Sequence, residues 1–357
     1  MSVLEDRYRG VLRLLPASYR DVWEEEMVAT FLDSVATDDV DEAAYLDEFG
    51  RPSWSEVGSV VALAIRLRLG GSNAPPRSVV WGEAVRTVGL VGLLTFALSL
   101  PMDLAQLLWI AGGLPLPAAT REALAASPPP DLWVTVWIAA GALWLVAYLL
   151  LVMGRRRASL LFALLGLGFA VGQATVASAE PAVGRAPAAS LVTPWILVLI
   201  SVVVVMALAA FHRQAPPVRR RPWLLALAIG AVLSCVPGVL VLMQPIDMSV
   251  LDWPGLLCVG WIVAALVHRA DPTRRAPSAS LALVLLCAPV LLLRIGSLLE
   301  YLAIGYQSVP PLTVSLGIVE TVLVVALAIP LAVQTMRRLP PPPVVAAVPP
   351  VPTQGRR

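Results

Sequence analysis

The amino-acid sequence predicts an all-α protein: a small cytoplasmic four-helix domain followed by an eight-span transmembrane helix bundle. Composition is the first reason. Of all residues, 58% are hydrophobic and 14% charged, against about 25% charged in an ordinary soluble domain, and the mean hydropathy is +0.79. The second is a series of long apolar runs between residues 80 and 336. The third is charge segregation: residues 1–57 hold fourteen carboxylates and five arginines, a net of −9, in a chain whose total is +2. Four segments follow, namely an acidic helical domain over 1–70, a linker over 71–78, the membrane bundle over 79–336 and a Pro-rich cytoplasmic tail over 337–357.

In the acidic domain, Val3, Leu4, Tyr8, Val11, Leu12 and Leu15 recur at spacings of three and four, the mark of one apolar helical face, and Pro16 ends that helix. Ser18 with Asp21 reads as a capping box opening a second helix, whose core face carries Trp23, Met27, Phe31 and Val35. Acids at 38–42 favour a third helix start, because the helix dipole is positive there; Gly50 stops that helix. Ser53 and Glu56 form the better capping box, opening a fourth helix that runs to about Leu69. "GSNAPPR" then reads as a linker too rich in Gly and Pro to continue it. "MSVLEDRYRG" has no apolar core behind a basic start, so this first segment is expected to stay in the cytoplasm.

"LPASYRDVWEEEMVATF" followed by "YLDEFGRPSWSEVGSV" resembles the amino-terminal HAAS signalling domain and its permease-prefix relatives on bacterial membrane proteins. Leu15, Pro16, Glu24 to Glu26, Phe31, Leu46, Gly50, Pro52 and Val57 carry the resemblance, which covers residues 4–70, a fifth of the chain. It implies regulation, as with PadR-type transcriptional regulators, or association with a permease.

Eight spans are read at about 84–110, 132–154, 158–178, 191–212, 223–243, 251–268, 279–300 and 309–336, most close to the ~20 residues that cross ~30 Å of hydrocarbon. Trp81, Trp109, Trp133, Trp195, Trp223 and Trp253 stand near their ends, where amphipathic rings favour the headgroup layer. With the amino terminus inside, twelve arginines fall in cytoplasmic connections and only Arg121 and Arg185 outside, together with Asp131, Glu180, Asp247 and Asp252. Both termini are then cytoplasmic. All 26 basic residues are Arg, which fits codon bias in a GC-rich bacterial genome and carries no mechanistic weight; the expected location is a bacterial cytoplasmic membrane.

Chemistry is sparse in the sequence. Without Lys there is no Walker A loop, so an ATPase subunit would be a separate partner. Cys235, Cys258 and Cys287 stand alone in apolar runs, and His212 and His268 read as interfacial anchors beside arginines. Ser234 and Ser297 lack the His and Asp context of a hydrolase. Gly166, Gly168 and Gly172 read as helix-packing positions. No catalytic residue, metal-ligand set or cofactor site is predicted, and no nucleic-acid interface.

Ionisable residues within spans carry more information, since each costs roughly 2.5–3.5 kcal/mol at the bilayer centre unless paired or hydrated. These are Asp103, Arg294, Glu300 and Glu320. At 1.5 Å per residue, Arg294 lies about 22 Å from the inner end of its span and Glu320 about 16 Å from the outer end of the next, a mismatch of roughly 8 Å. Asp103 is the other possible partner. Asp103, Arg294 and Glu320 thus form a candidate intramembrane ion pair or polar site, read as a structural tie, a proton or substrate path, or an arginine snorkelling outward. The leading functional expectation is a non-enzymatic signalling protein in contact with membrane lipid, whose acidic domain docks a cytoplasmic regulator. The alternative is a transporter or ABC-type permease component. The Pro-rich tail is expected to be extended.

Overall fold

The computed structural model describes residues 2–37, 39, 45, 48–71, 74–111, 132–182, 191–212, 215–243, 252–271, 276–304 and 311–341. Among them all regular structure is helical. The chain separates into an amino-terminal unit ending at Glu83 and a body from Ala84 to Arg338.

The amino-terminal unit contains α1 (Val3–Leu12), α2 (Ala17–Val35) and α3 (Trp54–Arg68). Ser2 and Ser53 cap α1 and α3, their hydroxyls accepting from the amides of Glu5 and Glu56 at 3.2 Å each. Leu4, Tyr8, Leu12 and Leu15 pack against Val28 and Phe31 of α2 and Val60, Ala64 and Leu67 of α3. The rings of Tyr8 and Phe31 stack at 4.0 Å between centroids, an offset face contact worth more than its area alone. Gly70 ends α3 at φ +82°, with the Gly71 amide donating to the Arg66 carbonyl at 2.8 Å. This left-handed turn closes the helix end in the way glycine best allows.

Three expectations need correction here. The Ser18–Asp21 box does not form: α2 already starts at Ala17 behind Pro16, which places Ser18 inside the first turn, and no side chain caps it. Trp23 is 43% exposed, because α1 and α3 cover the Val28 and Phe31 side of α2 and leave the start of the helix open. The linker is shorter than expected. Helix α4 (Pro76–Ala97) begins inside it, since a proline at the first helical position needs no amide partner and has its φ preset. Most of the expected third helix, 38–50, lies outside the described residues, as do the connection 112–131 and the tail beyond 341.

The body continues with α5 (Ser99–Ala111), α6 (Leu132–Val152), α7 (Arg156–Ala182), α8 (Val192–Ala207, tightening to a 3-10 turn at Leu208–Ala210), α9 (Arg220–Met243), α10 (Trp253–Ala270), α11 (Pro277–Ile304) and α12 (Pro311–Arg338). The first expected span is broken between α4 and α5 at Leu98, where Pro101 cannot donate to the Ala97 carbonyl and its ring crowds that group. Gly154, at φ +87°, turns α6 into α7, with the Arg155 amide donating to the Leu150 carbonyl at 2.8 Å. The Ser159 hydroxyl then ties the hairpin by donating to the Ala147 carbonyl at 2.8 Å.

Two cores organise these helices. Leu90, Leu93 and Ala97 of α4 meet Trp144, Tyr148 and Leu151 of α6, Ala163 of α7 and Val204 of α8. Of the three glycines expected at helix contacts, only Gly166 is one: a β-carbon there would lie 2.7 Å from the Trp144 ring, whereas Gly168 and Gly172 face open space. The second core joins Cys258, Trp261 and Ala265 of α10 to Cys287 of α11 and Val324 and Leu331 of α12.

Among the described residues six helical stretches are long and apolar enough to cross a bilayer: Pro76–Ala105, Arg156–Ala179, Val192–Ala210, Trp253–Ala270, Pro277–Ala303 and Pro311–Arg338. Their outward faces carry exposed Leu161, Leu165, Met206, Val263 and Val322. Apolar residues facing outward on several such helices mark a multi-pass membrane protein.

Candidate functional site

Arg294 is among the most completely buried large side chains of the described body, at 1% exposure. It lies five residues after Pro289 in α11, on a face shared with Ser297 and Tyr301 by the helical repeat. Its Nη1 donates to Asp252 Oδ2 at 2.6 Å, and its Nη2 lies 2.8 Å from Glu320 Oε2 of α12. The second contact is an ion pair rather than an aligned hydrogen bond, as Glu320 Oε2 otherwise has no hydrogen-bond partner among the described residues. The Tyr301 hydroxyl donates to Asp252 Oδ2 at 2.7 Å.

Asp252 holds two roles at once. It is the N-cap of α10, its Oδ1 accepting from the Gly255 amide at 2.9 Å, while its Oδ2 takes Arg294 and Tyr301. A carboxylate is favoured at a helix start, where the dipole is positive. Two glycines make room for the cluster. A β-carbon on Gly317 would sit 2.6 Å from Arg294 Nη2, and one on Gly255 would sit 2.6 Å from Asp252 Oδ1 and 3.3 Å from the Glu320 oxygens. The charges of three helices therefore meet only because two backbones approach without side chains.

Arg294 and Glu320 are brought together, and Asp103 is not. Asp103 lies on α5, which packs on α6 and α9, whereas α11 packs on α8, α10 and α12. Arg294 is wholly enclosed, so its guanidinium does not snorkel to the surface. Glu300 serves a different helix, its Oε1 accepting from the Thr193 amide in the first turn of α8 at 3.1 Å. Sequence reasoning placed Asp252 in an external connection and passed over Tyr301. The seven-residue spacing from Arg294 to Tyr301, two helical turns, was the available signal for the tyrosine.

Chemically, the cluster joins one guanidinium to two carboxylates and a phenol. It locks the start of α10 to the later half of α11 and the first third of α12. Removing one member of such a set strands a buried charge, at a cost of about 3–5 kcal/mol. The excess carboxylate could also hold a proton or a small cation.

At the opposite ends of these helices, His268 is 8% exposed and its Nε2 lies 2.8 Å from the Ser280 hydroxyl. It is thus a buried link between α10 and α11 rather than the interfacial anchor expected. Among the described residues no three His, Cys, Asp or Glu side chains converge to hold a metal ion. No protein-family model, curated protein or solved structure matches the chain.

Proposed function

We propose that the chain is a non-enzymatic signalling or regulatory protein of a bacterial cytoplasmic membrane. In this reading it has eight spans, with α6, of 21 residues, and α9, of 24, joining the six helical stretches above. Both termini are cytoplasmic, and the acidic amino-terminal unit is a HAAS-like module that docks a soluble regulator. The observation that carries the reading is the open face of α2. Val22 is 66% exposed and stands beside exposed Asp21, Glu25 and Glu26, although the unit closes a core of its own elsewhere. An apolar residue held among carboxylates suits a partner with a basic, partly apolar surface.

The test is a photo-crosslinking residue at Val22 of the full chain in native membranes. The expected product is an adduct with a soluble protein, lost on Asp21→Arg with Glu26→Arg. Adducts only with other membrane proteins, or adducts indifferent to the charge reversal, would refute the docking role.

A transporter or permease component is the second reading, favoured by the excess carboxylate around Arg294. Ion or substrate flux in proteoliposomes, abolished by Glu320→Gln in protein that still folds, would support it over the first.

A further inference from the structure

We propose that the amino-terminal unit carries a docking groove for the chain's own Pro-rich segment, residues 340–357. A cavity of about 290 Å³ lies within that unit, lined by Leu4 of α1, Phe31 and Val35 of α2, and Gly50, Arg51 and Ser53 of the connection into α3. That connection is bracketed by two aromatic rings that the core leaves outside: Phe49 is 58% exposed and Trp54 89%. Exposed Tyr45 stacks on Phe49 at 5.4 Å between centroids.

A single exposed apolar side chain is ordinary. Three exposed rings between residues 45 and 54, two of them flanking the wall of an apolar cavity, form a patch of the kind that marks an interaction site. The patch is distinct from the Val22 position, since Phe31 and Val35 lie at the far end of α2 from it.

Composition, charge and tethering select the occupant. Proline-rich chains dock on aromatic grooves because their polyproline II form is ordered before binding, so little entropy is lost. Residues 340–357 hold seven prolines, including the pair Pro349-x-x-Pro352, together with Arg356, Arg357 and no acid. Residues 21–50 hold eleven acids and no base, so charge draws those arginines toward the unit. The sixteen residues after Pro341 reach roughly 50 Å when extended at ~3.1 Å each, and a tether of that kind holds the segment at an effective concentration on the order of millimolar. A bilayer is the poorer occupant, because an anionic cytoplasmic leaflet repels the same acids.

The docking rests on the reading that both termini are cytoplasmic, and the experiment separates the two. Protease added to one side of sealed vesicles should cut the chain both before residue 70 and after residue 338. Cutting from opposite sides would overturn the topology, and the docking with it. The purified full chain in nanodiscs then carries a photo-crosslinking residue in place of Trp54. The expected adduct lies within one chain and maps by mass spectrometry to residues 340–357. It should be lost in the triple variant Pro349→Ala, Pro350→Ala, Pro352→Ala and in Arg356→Glu with Arg357→Glu, changes that lie outside the unit's own core. The same probe at Leu14, exposed at the opposite end of α1 from Leu4, should give no such adduct. Same-side cutting without a tail adduct would overturn the docking, as would adducts only with lipid or with a second copy. So would a tail adduct that survives both variants or forms equally from Leu14.

Discussion

Tyr301 and Arg294 converge on one oxygen atom, Asp252 Oδ2, at 2.7 and 2.6 Å. Two donors two turns apart on α11 thereby fix the N-cap of α10. Arg294→Leu is expected to destabilise detergent-purified protein by about 3–5 kcal/mol, because it leaves carboxylates buried and unpaired. Adding Asp252→Asn or Glu320→Gln should recover part of the loss, whereas adding Asp103→Asn should not. Thermal unfolding of the four variants checks this, and recovery with Asp103→Asn would reassign the pair.

Gly317 and Gly260 offer a matched comparison. Gly317→Ala drives a methyl against Arg294 Nη2 and Leu298 and should cost about 1–3 kcal/mol through overpacking. A β-carbon on Gly260 meets nothing within 4 Å, so Gly260→Ala should be neutral or stabilise by up to about 1 kcal/mol through helix propensity. Equal effects of the two would show that the cluster has slack.

In the amino-terminal unit, residues 1–70 alone should be soluble and helical by circular dichroism. Trp23→Asp should shift its urea unfolding by less than about 1 kcal/mol, as expected at an exposed position. Phe31→Ala, which empties the stack with Tyr8, should cost about 3–5 kcal/mol. The reverse ranking would mean that Trp23 is covered in solution.

Acid should weaken the same fragment through Glu25. Arg9 grips that carboxylate with two hydrogen bonds, at 2.7 and 2.9 Å, and holds its pKa below the usual range. A depressed folded pKa means that the contribution is present above the unfolded value of about 4.3 and lost as pH falls through the folded one. Arg9→Gln should flatten the decline of the urea midpoint in that window, and added salt should do the same, since the pair is exposed. An unchanged slope in Arg9→Gln would exclude the pair as the cause.

Reporter fusions test the topology. Those at Arg156, Arg220 and Arg274 should read as cytoplasmic and those at Thr120 and Asp247 as external. A cytoplasmic signal at Asp247 would remove α9 and α10 as a membrane hairpin.

Much of this was legible in the chain because the signals were local. The Leu4–Tyr8–Leu12–Leu15 stripe and the Ser53 cap depend only on neighbours three or four residues away. Pro76 was misread as a breaker because the same missing amide that ends one helix suits the start of another. Asp252 was missed for a different reason: its partner Arg294 is 42 residues away, and an acid before Trp-Pro reads locally as a loop. Trp23 misled because α2 buries a narrower strip, Val28 and Phe31, than its aromatic content suggests.

Pro289 and Pro330 stand between the two ends of the α10–α12 group. Each leaves a carbonyl one turn earlier, at Leu285 and Ala326, without its helical donor, which softens the rod at that level. Above the soft level the helices are riveted by charge at Asp252, Arg294 and Glu320; below it α10 and α11 are linked through His268 and Ser280. Each tie therefore lies within its own half of the helices, one on either side of the level that the prolines soften.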